Sequence, residues 1–265
     1  MPGDGLRRFG ARLAFGMSSP ARKLAAEPAR PRRLVLFDID GTILWTDGAG
    51  RRAVFQALEE YFGKSGPGEH RFDGKTDPQI VRELMRHAGV SDADIDARLD
   101  EVLDRYVALL RDELASADHR QHIFPGVCEL LDKLEARGDV VLGLLTGNLA
   151  EGARAKLNAA GINPDRFRVG AYGSDHELRG ELPAVAQRRA REELGLKFSG
   201  RDIVVIGDTP ADLQCGAALG CTAIGVATGM YSLDDLREHR PAAVFPNLAD
   251  TPSVVRAILG ESVDA

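Results

Sequence analysis

Cysteine is scarce in this sequence, and no two cysteines have the C-x-x-C spacing of redox or zinc motifs. The 265 residues contain only Cys128, Cys215 and Cys221. An odd and sparse set argues against a fold held together by disulfides and is typical of a reducing compartment. We therefore predict a cytoplasmic location.

Long apolar runs are also missing, since no stretch reaches the eighteen consecutive apolar residues that a membrane-spanning helix needs. The formal net charge is −6, which gives no general attraction to nucleic acid. We therefore expect neither a membrane nor a nucleic acid as partner. A chain of this length suits one large domain, or a core with a smaller accessory domain.

Positive charge is concentrated near the N-terminus. Residues 1–33 carry eight arginines and lysines but only two acidic residues, among many alanines, prolines and glycines. Such a composition buries too little apolar surface to fold. We expect residues 1–32 to form a basic, disordered tail; a targeting peptide, or a start at Met17, is the alternative.

The remaining chain alternates between short apolar runs and helical periodicity. The run RLVLF at 33–37 ends abruptly in DIDGT, which indicates a buried strand followed by a tight turn. Further strands are predicted at 140–145, 168–172, 202–206, 222–226 and 243–245. Helices are predicted at 127–137, 150–160, 183–194 and 213–219. This alternation predicts an α/β fold with a doubly wound parallel sheet covered by helices on both faces.

One long segment has helical spacing throughout and no convincing strand. It predicts a helical cap domain, residues 47–124, inserted into a core of residues 33–46 and 125–265. Trp45 lies at the junction and is expected to pack there as a hinge residue; contact with the substrate is the alternative.

Three predicted strands end in polar groups that could do chemistry: Asp38 with Asp40, then Thr146, then Asp208. Ligands bind at the carboxyl ends of the strands in sheets of this kind, so we expect these groups to meet. Asp38 can attack phosphorus as a nucleophile. Asp40 can protonate the leaving oxygen and later activate water.

The same carboxylates suit Mg²⁺, which prefers oxygen ligands. Asp38 and Asp208 could hold the ion together with the carbonyl oxygen of Asp40. Asp212 is expected just outside the ligand shell, and its alternative role is to cap a helix N-terminus.

The strings RLVLFDIDGT, LLTGN and VVIGDTPADL resemble the first, second and fourth motifs of the haloacid dehalogenase superfamily. The helical insert is similar to the small cap of its phosphoglycolate-phosphatase-like members. The resemblance implies a Rossmann-like core, Asp38 as nucleophile, Asp40 as general acid and base, and Asp208 as magnesium ligand. It also implies that Thr146, followed by Gly147 and Asn148, binds phosphate.

The third motif departs from the family pattern, which commonly has Lys followed by Pro, because no Lys-Pro pair occurs here. Arg179 is our candidate for the missing cation, with Arg188 and Arg189 as alternatives. A guanidinium can bind phosphate through two hydrogen bonds, so the chemistry survives the replacement.

The acid at position 40 indicates phosphoryl transfer, since family members that cleave carbon–halogen bonds usually lack it. We predict a Mg²⁺-dependent phosphatase for a small phosphorylated metabolite, such as phosphoglycolate or a sugar phosphate, acting through an aspartyl-phosphate. A phosphomutase or a non-catalytic binding protein on the same fold is the alternative. The GxGxxA pattern at 48–53 also raises a dinucleotide-binding oxidoreductase, but its glycines do not directly follow a strand.

Specificity is expected to reside in the cap, which closes over the leaving group. The polar loop at 74–77 could reach the cleft, and Lys75 and Thr76 are the candidates for contact with an anionic substrate. The alternative is a solvent loop that caps a helix starting near Pro78.

Overall fold

The computed structural model describes residues 33–116 and 119–261; the expected tail, residues 1–32, lies outside them. The described residues form the strands β1 (Arg33–Phe37), β2 (Leu44–Trp45), β3 (His122–Ile123), β4 (Val140–Leu145), β5 (Val169–Ala171), β6 (Ile203–Gly207), β7 (Thr222–Val226) and β8 (Ala243–Phe245). They form the helices α1 (Ala49–Phe62), α2 (Asp77–His87), α3 (Asp92–Asp96), α4 (Leu99–Ala115), α5 (Val127–Glu135), α6 (Ala150–Ala159), α7 (Leu182–Leu194), α8 (Pro210–Cys215), α9 (Leu233–Glu238) and α10 (Thr251–Leu259). None of these helices is long and apolar enough to cross a membrane.

Six strands form one parallel sheet in the order β5-β4-β1-β6-β7-β8. The chain builds outward from β1 through β4 to β5, then crosses back to β6 on the other side of β1. The strand order therefore reverses at β1, which is where sheets of this class bind ligands. The predicted doubly wound parallel sheet is confirmed.

Side chains of β1 alternate between two hydrophobic cores. Val35 and Phe37 join the cluster formed with α5, α6 and α10. Leu34 and Leu36 join the cluster formed with α7 and α8. All four are fully buried, and each such burial stabilises the fold by roughly 1.5–3 kcal/mol. Because both faces are covered, the strand carries an uninterrupted apolar run.

The helices α1 to α4 lie between β2 and β3 in the chain and have a hydrophobic cluster of their own. Helix α1 packs chiefly on α4, and Leu58, Leu84 and Tyr106 are among the side chains buried between the helices. This confirms the inserted helical cap, while the predicted limits at 47 and 124 stay a proposal. The two-residue strands β2 and β3 pair antiparallel where the chain leaves and re-enters the core. They were not predicted, because two residues carry no periodicity.

Two local expectations were wrong, and one hypothesis that the sequence disfavoured finds no support. The helix predicted at 213–219 instead begins at Pro210, because Thr209 and Asp212 form a capping box, and a 3₁₀ turn replaces its second half. Trp45 is 41% exposed and is not packed as a buried hinge. The glycines at 48 and 50 lead into α1 and then α2 rather than into a βαβ unit, so the dinucleotide-binding hypothesis lacks its structural context.

Candidate active site

The loop after β1 places two carboxylates beside the loop after β6. Asp38 is buried directly at the strand end, and its backbone N–H donates to the carbonyl of Ile206 at 3.0 Å. Gly41 adopts φ 88°, and a Cβ atom there would lie 2.3 Å from Oδ2 of Asp208. The turn therefore requires glycine both for its backbone conformation and for this close approach.

Three buried carboxylates converge at this point. One ligand atom from each of Asp38, Asp208 and Asp212 lies within 4.8 Å of the other two. Burial, reinforced by Asp212 and Asp38, raises the pKa of Asp208 well above its ordinary value. Burial also raises the pKa of Asp38 to about 7, against the opposing effect of Arg179. A cluster of acids that resists ionisation in this way fits a site for a divalent cation, whose charge would stabilise the ionised carboxylates.

Other contacts fix the acids of the cluster in place. Thr42 donates its hydroxyl to Oδ1 of Asp208 at 3.0 Å. The Oδ2 atom of Asp212 accepts from the backbone N–H and the hydroxyl of Thr209, at 3.0 and 2.7 Å. Thr209 is thus the helix N-cap, not Asp212, whose other oxygen accepts from Arg179.

Among the three arginines considered from the sequence, Arg179 is the one that reaches the nucleophile position. Its Nη2 atom donates to Oδ1 of Asp38 at 2.8 Å and also to Asp212. Its Nε atom is buried, and no residue that the structure describes accepts a hydrogen bond from it, which leaves this N–H for a further acceptor. Arg189 instead pairs with Asp175 at 2.6 Å, and Arg188 lines a separate surface pocket.

Asp40 is held by a network of hydrogen bonds from Lys156 and Asn148 that the sequence did not predict. Its two oxygens accept from Nζ of Lys156 at 2.8 and 2.6 Å, and Oδ2 also accepts from Nδ2 of Asn148 at 2.7 Å. The same Asn148 nitrogen donates to Oγ1 of Thr146 at 2.8 Å. Of the phosphate-binding candidates, Asn148 is therefore hydrogen-bonded to Asp40, and Thr146 is linked to it through Asn148.

The cap loop lies against the loop that follows β4. A Cβ atom on Gly147 would be 1.9 Å from the carbonyl oxygen of Lys75, and the carbonyl of Gly147 accepts from the N–H of Asp77 at 2.8 Å. The carboxylate of Asp77 accepts in turn from the N–H of Leu149 at 2.8 Å. Cap and core are thus joined at the candidate phosphate loop.

The two candidate specificity residues have protein partners. Thr76 is the N-cap of α2 and also donates its hydroxyl to the carbonyl of Glu177 at 2.6 Å. Lys75 lines the cavity, but its Nζ donates to Oε2 of Glu83 at 2.5 Å. The alternative of a helix-capping loop therefore accounts for Thr76, and the part of Lys75 in specificity stays a prediction.

A cavity of about 520 Å³ lies between core and cap. The residues that line it from the core side include Asp38, Asp40, Thr146, Arg179 and Asp208. The cap side contributes Arg51, His70, Phe72, Gly74 and Lys75. The predicted site residues therefore surround one space.

Lys156 was not among the residues singled out from the sequence. Asp77 ends the polar loop predicted to reach the cleft but was given no role of its own. Both residues are buried. A usable indication was present for Lys156, which shares the buried face of α6 with Ala153 and Leu157. A lysine in such an apolar stripe is seldom buried unless a charge partner lies nearby.

Comparison with known proteins agrees with this geometry. The model of the haloacid dehalogenase-like hydrolases matches residues 32–220. The chain therefore belongs to the haloacid dehalogenase-like hydrolase family, and it is a hydrolase.

The names of similar proteins support the classification of this chain as a phosphoric monoester hydrolase. The chain is 28% identical over 222 residues to a phosphoglycolate phosphatase of Yersinia pestis, which covers 82% of this chain and 90% of that protein. It is 27% identical over 223 residues to a 5′-nucleotidase of Pseudomonas aeruginosa, covering 84% and 95%. The crystal structure of CbbY from Rhodobacter sphaeroides in complex with phosphate shares the fold, with a TM-score of 0.61, 19% identity and coverage of 82% and 95%.

Proposed function

We propose that the protein is a Mg²⁺-dependent phosphatase that hydrolyses a small phosphomonoester through an aspartyl-phosphate on Asp38. The observation that carries this proposal is the contact between Asp38 and Arg179 at the edge of the cavity shared with Thr146 and Asp208. In this proposal one reacting group is faced by the nucleophile Asp38, the phosphate-binding cation Arg179 and the metal-binding carboxylate Asp208.

In the first half-reaction, a carboxylate oxygen of Asp38 forms a bond to phosphorus as the bond to the ester oxygen breaks. Asp40 gives its proton to the departing oxygen, so the alcohol leaves neutral. In the second half-reaction, Asp40 takes a proton from water as the water oxygen bonds to phosphorus. The bond between phosphorus and Asp38 then breaks, which releases inorganic phosphate.

Arg179 and Thr146 are proposed to bind the phosphoryl oxygens. The unpartnered Nε of Arg179 supplies an N–H in a buried site, where a charge-assisted hydrogen bond is strong. Donors aimed at the transferring group in a water-poor cavity stabilise the transition state more than the free ester.

Asp38 and Asp208, with the carbonyl oxygen of Asp40, are proposed to hold Mg²⁺. Asp212 lies close enough to both acids to serve as a further ligand or to orient them. Bound Mg²⁺ would neutralise the acids and the charge on the phosphoryl oxygens.

A small phosphorylated metabolite is consistent with the volume of the cavity and with the names of the similar proteins. Family members named phosphoglycolate phosphatase and 5′-nucleotidase suggest two ester classes. The cytoplasmic location expected from the sparse cysteines is part of the same proposal, since such metabolites are found there.

The test is phosphate release from a panel of esters: phosphoglycolate, sugar phosphates, nucleoside monophosphates and p-nitrophenyl phosphate. We expect turnover with Mg²⁺, none with a chelator, and none from Asp38→Asn. Asp234→Asn, at an exposed acid on α9, is the matched control and should behave as the wild type. Consumption of an ester without release of phosphate would indicate a phosphomutase instead. An Asp38→Asn protein with wild-type turnover would rule out the aspartyl-phosphate.

A further inference from the structure

Lys156 is a buried lysine of α6 whose ammonium lies at the base of the active site. Its side chain is 5% exposed, whereas that of its partner Asp40 is 30% exposed and lines the cavity. Placing an ammonium ion in such a position costs several kcal/mol unless it is well paired. Lys156 therefore needs an acidic partner, and that partner, Asp40, lines the cavity.

All three N–H donors of Lys156 have acceptors on the protein. Two hydrogen bonds go to the two oxygens of Asp40, at 2.8 and 2.6 Å, and the third goes to Oδ1 of Asn148 at 2.7 Å. A lysine ammonium has three donors and no acceptor, so none is left for a substrate. Its hydrogen bonds therefore place Lys156 to act on the reaction through Asp40 and Asn148.

The geometry also separates Lys156 from the cation beside the nucleophile. Arg179 contacts Asp38 and Asp212, while Lys156 contacts Asp40 and Asn148, and no partner is shared. Each of the two acids at the end of β1 thus has its own buried cation. This pairing gives the two carboxylates different surroundings, as their different chemical tasks require.

We propose that Lys156 is a positioning residue for Asp40, fixing both oxygens of its carboxyl group so that one faces the leaving-group oxygen. Asn148 completes the arrangement, because it accepts from Lys156 and donates to Asp40 and Thr146. The inference rests on the proposed phosphatase function. It adds a residue outside all of the sequence motifs that acts on proton transfer to the leaving group.

Leaving groups of different basicity separate this role from a merely structural one. An alkoxide leaving group needs a proton from Asp40, whereas p-nitrophenolate leaves readily without one. We expect Lys156→Met to lower kcat/KM about 10²-fold for the alkyl phosphate that the wild type hydrolyses fastest, since general acid catalysis contributes 10²–10⁴-fold. The loss for p-nitrophenyl phosphate should be less than about tenfold.

Asp40→Asn is the reference for the expected pattern, and Lys133→Met, at an exposed lysine of α5, is the matched control. An equal loss on both esters would overturn the inference. Lys156→Gln, which keeps a hydrogen-bond donor, replaces the methionine variant if thermal denaturation shows that the latter does not fold. If neither variant folds while Lys133→Met does, Lys156 is a structural residue and the inference fails. A wild type that releases no phosphate from any ester would instead refute the proposed function.

Discussion

The Nη2 atom of Arg179 lies 2.8 Å from Oδ1 of Asp38, although the two residues are 141 positions apart in the chain. Arg179 is the buried residue of a 3₁₀ turn, Arg179–Glu181, just before α7. Asp38 and Asp212 raise the pKa of Arg179 further above its already high value, against the effect of burial, so its charge is permanent. The structure thus places a fixed positive charge beside Asp38, and the role of Arg179 as the replacement for the third-motif lysine stays a prediction.

Replacing Arg179 with alanine should lower kcat/KM by roughly 10²–10³-fold, the usual cost of removing one donor from a charged transition state. Steady-state kinetics on the best ester of the panel measures the loss. Arg188→Ala, at a surface arginine of the same region, should leave kcat/KM within about twofold, since surface changes seldom matter. Equal effects of the two variants would show that Arg179 does not bind the phosphoryl group.

Replacing Asp208 with asparagine should have opposite effects on metal binding and on stability. The Mg²⁺ concentration for half-maximal activity should rise roughly tenfold or more. Burial and its acidic neighbours raise the pKa of Asp208, so its ionisation is disfavoured in the metal-free folded protein, and a neutral asparagine avoids this cost. The variant should therefore melt at a higher temperature than the wild type in a chelator.

Thermal denaturation with and without Mg²⁺ tests this prediction for Asp208. The wild type should gain more from the ion than the variant does, since a ligand that binds only the folded state stabilises it. Asp234→Asn should change neither the metal dependence nor the melting temperature in chelator. A variant that melts below the wild type in chelator would show that the cluster is not strained by its own charge.

The raised pKa of Asp77 predicts that the stability of the protein depends on pH. Burial raises its pKa from 3.8 to about 6, against the effects of Lys156 and of the N–H of Leu149. The folded state thus holds a proton that the unfolded state releases, and the stability this gives is full below pH 3.8 and is lost as pH rises towards 6.

Asp77→Asn removes this titration, and its amide can still accept from the N–H of Leu149. The melting temperature of the variant relative to the wild type should therefore increase between pH 4 and 6 and stay constant above that. Asp104→Asn, at an exposed acid of α4, serves as the control and should show no such trend. A constant difference between Asp77→Asn and wild type across this range would contradict the assignment.

Gly147→Ala should disturb the seating of the cap without disturbing the core. The added methyl group would lie 1.9 Å from the carbonyl oxygen of Lys75, so the cap loop must shift away from the candidate phosphate loop. A displacement of this size can cost about 10²-fold in kcat/KM. Gly138→Ala is the matched control, because a methyl group there meets no atom within 4 Å. Similar kinetics for both variants would argue that cap seating does not matter for turnover.

Much of the core could be predicted because its information is local. The strands β1, β4, β7 and β8 have the predicted bounds, since each is an apolar run ended by turn residues. The carboxyl ends of β1, β4 and β6 meet at one edge of the parallel sheet, which brings Asp38, Thr146 and Asp208 together. The boundaries of α8 were missed because a capping box, and not the apolar pattern, decides where that helix begins.

The sequence by itself therefore determined the sheet, the inserted helices and the acids at the ends of the strands. Only the tertiary structure decided that Arg179 pairs with Asp38, that Lys156 pairs with Asp40, and that Gly147 supports the cap loop. The first two contacts join residues 141 and 116 positions apart in the chain, and none of the three follows a period, so no local pattern encodes them. The two ion pairs form because burying a charge is costly unless a partner from another part of the fold lies within hydrogen-bonding distance. The close approach of Gly147 to the cap loop is possible because glycine has no Cβ atom.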